Sequence, residues 1–277
     1  MKKILVTTDL SDNSKVAVRF AIQLATQAEY ELTFLNVSTA LVIDPYSEAS
    51  FTDVPASNHA KQVQQLIKFI ETLYRQTKKK SRNINFIVEN KIDINEAILS
   101  CAKRIKADYI CMSTRGEGLM NKLLGSSTSK VLQDSPIPVF VVPKYYRMKF
   151  LSSVLYPSDL ENINTELPLI KKFANEFGAN LKIYHYDYFA QEKEIIEKWN
   201  KIANKYKYDN IEFHLKELNP TKPLLIHLQT AILKMKPSII TMFVKKKKNW
   251  FEKLFQIATT SEKGFDTKTP MLVFRKL

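Results

Sequence analysis

The sequence predicts two α/β domains, each built on a five-stranded, mostly parallel sheet with helices on both faces. Three observations predict this class. Short continuous apolar runs alternate with helical patterns, which is typical of parallel strands that are buried on both faces. The order of these elements occurs twice along the chain. The length of 277 residues suits about two domains, and 45% apolar residues can form a large core.

The first half begins and ends with an apolar, β-branched strand. We expect its strands at residues 4–8, 32–37, 84–88, 108–112 and 139–142. The first helix carries Val16, Phe20 and Leu24 at helical spacing, so one of its faces is expected to pack against the sheet. Ser11 is placed to cap this helix, and Asn95 is placed to cap a later one.

The second half repeats this order. Two pairs of segments match in sequence: 154–160 with 5–10, and 269–274 with 137–142. Between these anchors, further strands are expected at 181–186, 211–215 and 239–244. We therefore expect one domain at residues 1–144 and a second at 150–277, joined by a short linker. Two copies of one domain in a single chain predict an internal pseudo-dimer. The sequence does not decide whether the whole chain is a monomer or forms a homodimer.

Lysines give the chain a net charge of +14 and form two runs, Lys78–Lys80 and Lys245–Lys248. Such runs either are solvated loops or bind nucleic acid or an acidic surface. The second run follows a predicted strand, where α/β sheets bind ligands. No nucleic-acid motif accompanies the charge, so we do not expect nucleic acid as the partner, and a basic binding module stays an alternative.

Other residue types limit the chemistry that the chain can perform. Cys101 and Cys111 lie in apolar patterns, which predicts buried free thiols in a reducing compartment. The four histidines lack metal-binding spacing, so no metal site is expected. Neither a nucleophile elbow nor a complete P-loop is present, so we do not expect an enzyme. No segment has the pattern of a signal peptide or membrane span, which predicts a cytoplasmic protein without membrane contact.

The most informative segment is a glycine loop between a strand and a helix. Three of the five glycines in the chain, Gly116, Gly118 and Gly125, follow the predicted strand 108–112. A hydroxyl-rich helix start at 127–134 comes directly after them. The amides of such a loop and of a helix N-terminus converge on an anion. The pattern therefore predicts a phosphate site at the carboxyl edge of the first sheet.

Taken together, these features resemble the universal stress protein family in its tandem form. The features are an aspartate after the first strand, a glycine loop after the fourth, a Gly-Ser helix start and the last strand Pro-Val-Phe-Val-Val. The resemblance implies a Rossmann-like fold and a role in stress response. Many members bind ATP through Gly, two residues, Gly, nine residues, Gly and then Ser or Thr. Since the second half has no such glycine loop, the resemblance implies ATP as the ligand of the first domain only.

The implied ATP site combines strand ends with the glycine loop. Asp9 would meet the ribose or adenine, and Val37 would lie against the base. Gly116 and Gly118 would let the backbone approach the phosphates, since they lack a Cβ atom. The nucleotide-binding residues implied by the resemblance are Thr8, Asp9, Val37, Met112, Ser113, Arg115, Gly116, Gly118, Gly125, Ser126 and Ser127.

The loop departs from the family motif at two points. Ser113 stands where the first glycine is expected, and eight residues, not nine, separate Gly116 from Gly125. Arg115 could compensate by pairing with a phosphate. Three hypotheses follow: a stress-response adaptor that binds ATP in its first domain, a basic binding module, and a ligand-free structural pseudo-dimer whose glycines serve only turn geometry.

Overall fold

The computed structural model describes residues 1–38, 56–80, 83–114, 126–207, 210–244 and 268–276. The chain forms two compact units, Met1–Met148 and Lys149–Leu277. Within the described residues each unit has five parallel strands with helices between them, so the predicted fold class is confirmed. No helix in these segments has the length and apolar character needed to span a bilayer.

The first unit has the strand order β3-β2-β1-β4-β5. Its strands are β1 Lys2–Thr7, β2 Tyr30–Ser38, β3 Ile84–Asn90, β4 Tyr109–Ser113 and β5 Val139–Val142. Its helices are α1 Lys15–Gln27, α2 Ala56–Thr77, α3 Ile94–Arg104 and α4 Ser126–Asp134. The continuous apolar run of β1 is fully buried, because helices cover both faces of the sheet. Phe20 of α1 packs edge-to-face on Phe140 of β5, with ring centroids 5.5 Å apart.

The second unit has the strand order β10-β9-β6-β7-β8. Its strands are β6 Ser153–Pro157, β7 Asn180–Asp187, β8 Ile211–Glu217, β9 Ile239–Val244 and β10 Met271–Arg275. Its helices are α5 Ile163–Glu176, α6 Lys193–Lys205 and α7 Leu224–Met235. Tyr156 of β6 and Phe173 of α5 are among the largest fully buried side chains of its core.

Both expected helix caps are wrong. Helix α1 begins at Lys15, after a turn in which the hydroxyl of Ser11 accepts a 3.4 Å hydrogen bond from the amide of Ser14. Helix α3 begins at Ile94, and its cap is Asp93, whose carboxylate accepts from the amides of Asn95 (2.8 Å) and Glu96 (3.1 Å). These two hydrogen bonds and the ammonium of Lys130 lower the pKa of Asp93. Asn95 is already inside the helix, where its own side chain cannot cap it.

A buried hydroxyl closes the turn between β1 and α1. Thr8, which is 5% exposed, accepts a 3.0 Å hydrogen bond at Oγ1 from the amide of Leu10. The same oxygen lies 2.8 Å from the hydroxyl of Ser14. The amide of Thr8 donates to the carbonyl of Leu35 in β2 at 2.9 Å. Thr8 therefore ties the turn to the start of α1 and to the neighbouring strand.

The second unit repeats this turn. Ser158 donates from its amide to the carbonyl of Tyr184 at 2.8 Å and accepts at Oγ from the amide of Leu160 at 3.1 Å. Leu10 and Leu160 both have a left-handed backbone with φ of 62°. Because the partners occur in the same order, Ser158 corresponds to Thr8 and Tyr184 to Leu35. The sequence repeat is thus also a repeat of hydrogen bonding.

We expect Thr8→Val to destabilise the first unit by about 1–3 kcal/mol, because the amide of Leu10 loses its acceptor and the buried hydrogen bond between Thr8 and Ser14 is lost. Urea denaturation followed by circular dichroism measures the change. Thr72→Val is the matched control, since both described hydrogen bonds of the Thr72 hydroxyl are exposed and lie within α2. Its expected effect is below about 0.5 kcal/mol. Equal stabilities of the two variants would contradict the role given to Thr8.

We also expect both cysteines to resist thiol reagents in the folded protein. Both are buried and unpaired. Burial, with a smaller contribution from Glu89, raises the pKa of Cys101 to about 11, and burial also raises the pKa of Cys111. At mildly alkaline pH neither thiol therefore forms the reactive thiolate. Ellman's reagent should detect no thiol before denaturation in guanidinium and both afterwards. Lys103→Cys, at an exposed position of α3, should add one fast-reacting thiol. Stoichiometric reaction of the folded wild type would contradict this prediction.

Candidate functional site

The carboxyl edge of the first sheet presents an aspartate directly after β1. Asp9 is exposed, and its Oδ1 accepts hydrogen bonds from the amide (3.1 Å) and the hydroxyl (2.6 Å) of Ser11. This local turn keeps the carboxylate at the strand end, because Asp side chains bond to the backbone two residues on. The structure therefore places Asp9 where the sequence predicted it.

The end of β2 is held against this turn by a buried amide side chain. Asn36 donates from Nδ2 to the carbonyl of Thr8 at 2.9 Å. The next residue, Val37, is half-buried and offers an apolar surface at the same edge. Val37 therefore lies at the same sheet edge as the turn that carries Asp9.

The end of β4 is connected to the first turn of α4. Met112 is buried, and Ser113, the last residue of β4, is partly exposed. The hydroxyl of Thr128 donates to the carbonyl of Ser113 at 3.0 Å. The amide of Thr114 donates to the carbonyl of Val142 in β5 at 2.9 Å. The start of α4 is thus fixed next to the strand end that precedes the glycine loop.

These strand ends meet where the sheet changes direction. From β1 the chain builds outward through β2 and β3, and it then returns to place β4 on the other side of β1. Ligands of open α/β sheets bind at such a switch point, outside the carboxyl ends of the strands. Asp9 and Ser113 flank this position. The half-buried Ser127 lies in the first turn of α4.

Several predicted site residues lie outside the described part of the chain. They are Arg115, Gly116, Gly118 and Gly125. Ser126 is described only as the first residue of α4.

The sequence prediction missed three polar residues that hold this edge together. They are Ser14, Asn36 and Thr128, each of which is less than 10% exposed. Asn36 gave a usable signal, because it is a polar residue inside an otherwise apolar strand. Thr128 belongs to the hydroxyl-rich helix start, but its bond to Ser113 spans 15 residues and has no local pattern.

The corresponding edge of the second unit carries different side chains. The imidazole of His185 bonds to the carbonyl of Ser158 at 2.8 Å, so His185 takes the place of Asn36. Matching the pairing of β1 with β4 to that of β6 with β9 makes Phe243 the counterpart of Ser113. A phenyl ring therefore stands where the first unit has a small hydroxyl. Among the described residues of the chain, no three His, Cys, Asp or Glu side chains form a metal-binding group.

Comparison with known proteins agrees with this architecture. The model of the universal stress protein family matches residues 1–143. A universal stress protein of Methanocaldococcus jannaschii is 30% identical over 149 residues, which cover 52% of this chain and 82% of the relative. A universal stress protein of Bacillus subtilis is 31% identical over 147 residues, which cover 50% of this chain and 97% of the relative.

Solved structures extend the likeness to both units. A universal stress protein from Archaeoglobus fulgidus superposes with a TM-score of 0.69 at 17% identity, covering 99% of this chain and 96% of the other. A Pseudomonas aeruginosa protein described as a putative universal stress protein gives 0.63 at 14% identity, with 99% and 93% covered. These structures show the fold alone, and the family follows from the sequence matches. The turn after β1, the switch-point edge and these matches together identify the chain as a member of the universal stress protein family.

Proposed function

We propose that this protein is a stress-response adaptor that binds ATP in its first unit. The observation that carries the proposal is the meeting of Asp9, Val37 and Ser113 at the switch point of the first sheet, with the start of α4 held beside them. Membership of the universal stress protein family supports the stress role. Nucleotide binding would change the surface at this edge, and a partner would recognise that change.

The adenosine part of ATP would lie over the ends of β1 and β2. A carboxylate accepts at about four lone-pair sites, so Asp9 can accept from ribose hydroxyls in addition to Ser11. Val37 supplies an apolar contact for the base. The buried bond from Asn36 to Thr8 fixes the distance between these two strand ends, which preorganises the site.

The phosphates would lie toward α4. Its N-terminus carries positive partial charge and orphan amides, and Ser127 adds a hydroxyl there. Met112 supports this edge from inside the core. The glycine loop, with Arg115, Gly116, Gly118 and Gly125, is proposed from sequence to complete the phosphate contacts.

The side chains described at this edge suit binding better than bond cleavage. They are hydroxyls, one amide and one carboxylate, and most are already engaged in holding the turn. We infer that any ATP hydrolysis is slow. We also place the protein in the cytoplasm, since its two unpaired thiols suit a reducing compartment.

The first lysine run has a structural explanation. Lys78–Lys80 follow the last turn of α2, where the amides of Lys78 and Lys79 donate to the carbonyls of Arg75 (3.2 Å) and Tyr74 (3.3 Å). Cations at a helix C-terminus are favourable because they face its negative end. This run therefore gives no support to nucleic-acid binding. The run Lys245–Lys248 lies outside the described residues.

Titration with a fluorescent ATP analogue tests the proposal. We expect the wild type to bind and Gly125→Arg to weaken binding at least about tenfold, since a long side chain would enter the phosphate space. Asp9→Asn should weaken binding by about tenfold, because it loses a charge-assisted hydrogen bond. It keeps the oxygen that accepts from Ser11, so the turn should stay folded.

Asp159→Asn is the matched control, because Asp159 accepts from the amide of Glu161 in the second unit as Asp9 does from Ser11 in the first. This variant should bind the analogue like the wild type. Equal affinity of the wild type and Gly125→Arg, or no binding by either, would remove ATP from the proposal.

A further inference from the structure

The second unit contains a cavity at the carboxyl edge of its own sheet. Its volume is about 450 Å³, within the size range of small-molecule sites. Tyr184, Tyr186 and Phe243 contribute aromatic walls, and Leu228 and Met242 contribute aliphatic ones. Since Phe243 corresponds to Ser113, this cavity corresponds in position to the proposed ATP site of the first unit.

The described charged side chains of this cavity disfavour phosphate. Lys276 is only 5% exposed at its side chain and reaches three carboxylates. Its Nζ lies 2.6 Å from Asp159 Oδ2, 3.2 Å from Glu161 Oε2 and 3.9 Å from Glu166 Oε1. Among the described side chains, one ammonium therefore faces three acidic groups and donates hydrogen bonds to two of them, Asp159 and Glu161. From the described side chains, an anionic ligand would meet an excess of acidic groups, whereas a cation would be attracted.

Glu166 supplies the specific polar contact. It is 4% exposed, lines the cavity and accepts at Oε2 from the hydroxyl of Tyr156. Its other oxygen, Oε1, is buried and has no hydrogen-bond partner within the described residues. Burial raises the pKa of this carboxyl, against the lowering by Tyr156 and Lys276. A buried acceptor without a donor is costly, so a ligand that donates a hydrogen bond at this point is favoured.

The aromatic walls add a preference for a flat body and for positive charge. Tyr184 and Tyr186 have ring centroids 6.1 Å apart, and both line the cavity. Faces of such rings attract planar groups and cations. A purely apolar ligand would use these walls but would leave Glu166 Oε1 without a donor.

We propose that the cavity of the second unit binds a small organic amine whose flat apolar body lies among the tyrosines and whose ammonium group donates to Glu166. The residues that carry this proposal all belong to the second unit. The two copies of the fold would then recognise ligands of opposite charge at corresponding positions.

Isothermal titration calorimetry of the whole chain with three isosteric probes tests this proposal. The probes are 2-phenylethylamine, 2-phenylethanol and phenylacetate. We expect the amine to bind, the alcohol to bind at least about tenfold more weakly, and phenylacetate not to bind. Glu166→Gln should weaken the amine at least about tenfold and remove its advantage over the alcohol. This variant keeps an oxygen that accepts from Tyr156.

Glu194→Gln is the matched control, because it removes a carboxylate from an exposed position of α6. It should bind the amine like the wild type. Leu224→Trp, at the partly exposed wall of the cavity, provides a second test that does not disturb buried charge. It should block the amine while circular dichroism stays unchanged. Equal binding of amine and alcohol, tighter binding of phenylacetate, or no amine binding by the wild type at millimolar concentration would overturn the proposal.

Discussion

Each unit depends on one buried hydroxyl at the end of its first strand. Thr8 and Ser158 accept from the amides of Leu10 and Leu160, whose left-handed backbone costs about 1–2 kcal/mol for a residue with a side chain. The hydrogen bonds of the turn offset this strain. Without the turn, the aspartate that follows the hydroxyl would not be held at the edge of the sheet. The fold thus positions the site before any ligand is present.

The two units use this common frame for different chemistry. In the first, Asp9 is exposed next to the apolar surface of Val37. In the second, Asp159 is joined to the buried Lys276, and aromatic rings line the edge. The two turns share their hydrogen bonds, so the difference at these turns arises from the side chains around them. A duplicated fold can change its ligand in this way without changing its strand order.

The sequence predicted the strands well because a strand buried on both faces is a continuous apolar run, which is a local signal. It predicted the caps of α1 and α3 poorly, because several neighbouring polar side chains compete for the same amides and only the backbone geometry decides. Contacts between residues that are distant in the sequence could not be predicted from local patterns. Lys276 meets Asp159 across 117 positions, and nothing near either residue indicates the pair.

The two halves of the chain differ in intrinsic fluorescence, because only the second half contains tryptophan. Trp199 is 5% exposed and stacks on His185, with ring centroids 5.9 Å apart, and His185 belongs to the wall of the tyrosine-lined cavity. Both tryptophans of the chain, Trp199 and Trp250, occur after residue 148. Indole emission therefore follows the second half alone, whereas backbone ellipticity averages over both. Tryptophan fluorescence therefore reports unfolding of the second half separately from the first, which contains no tryptophan.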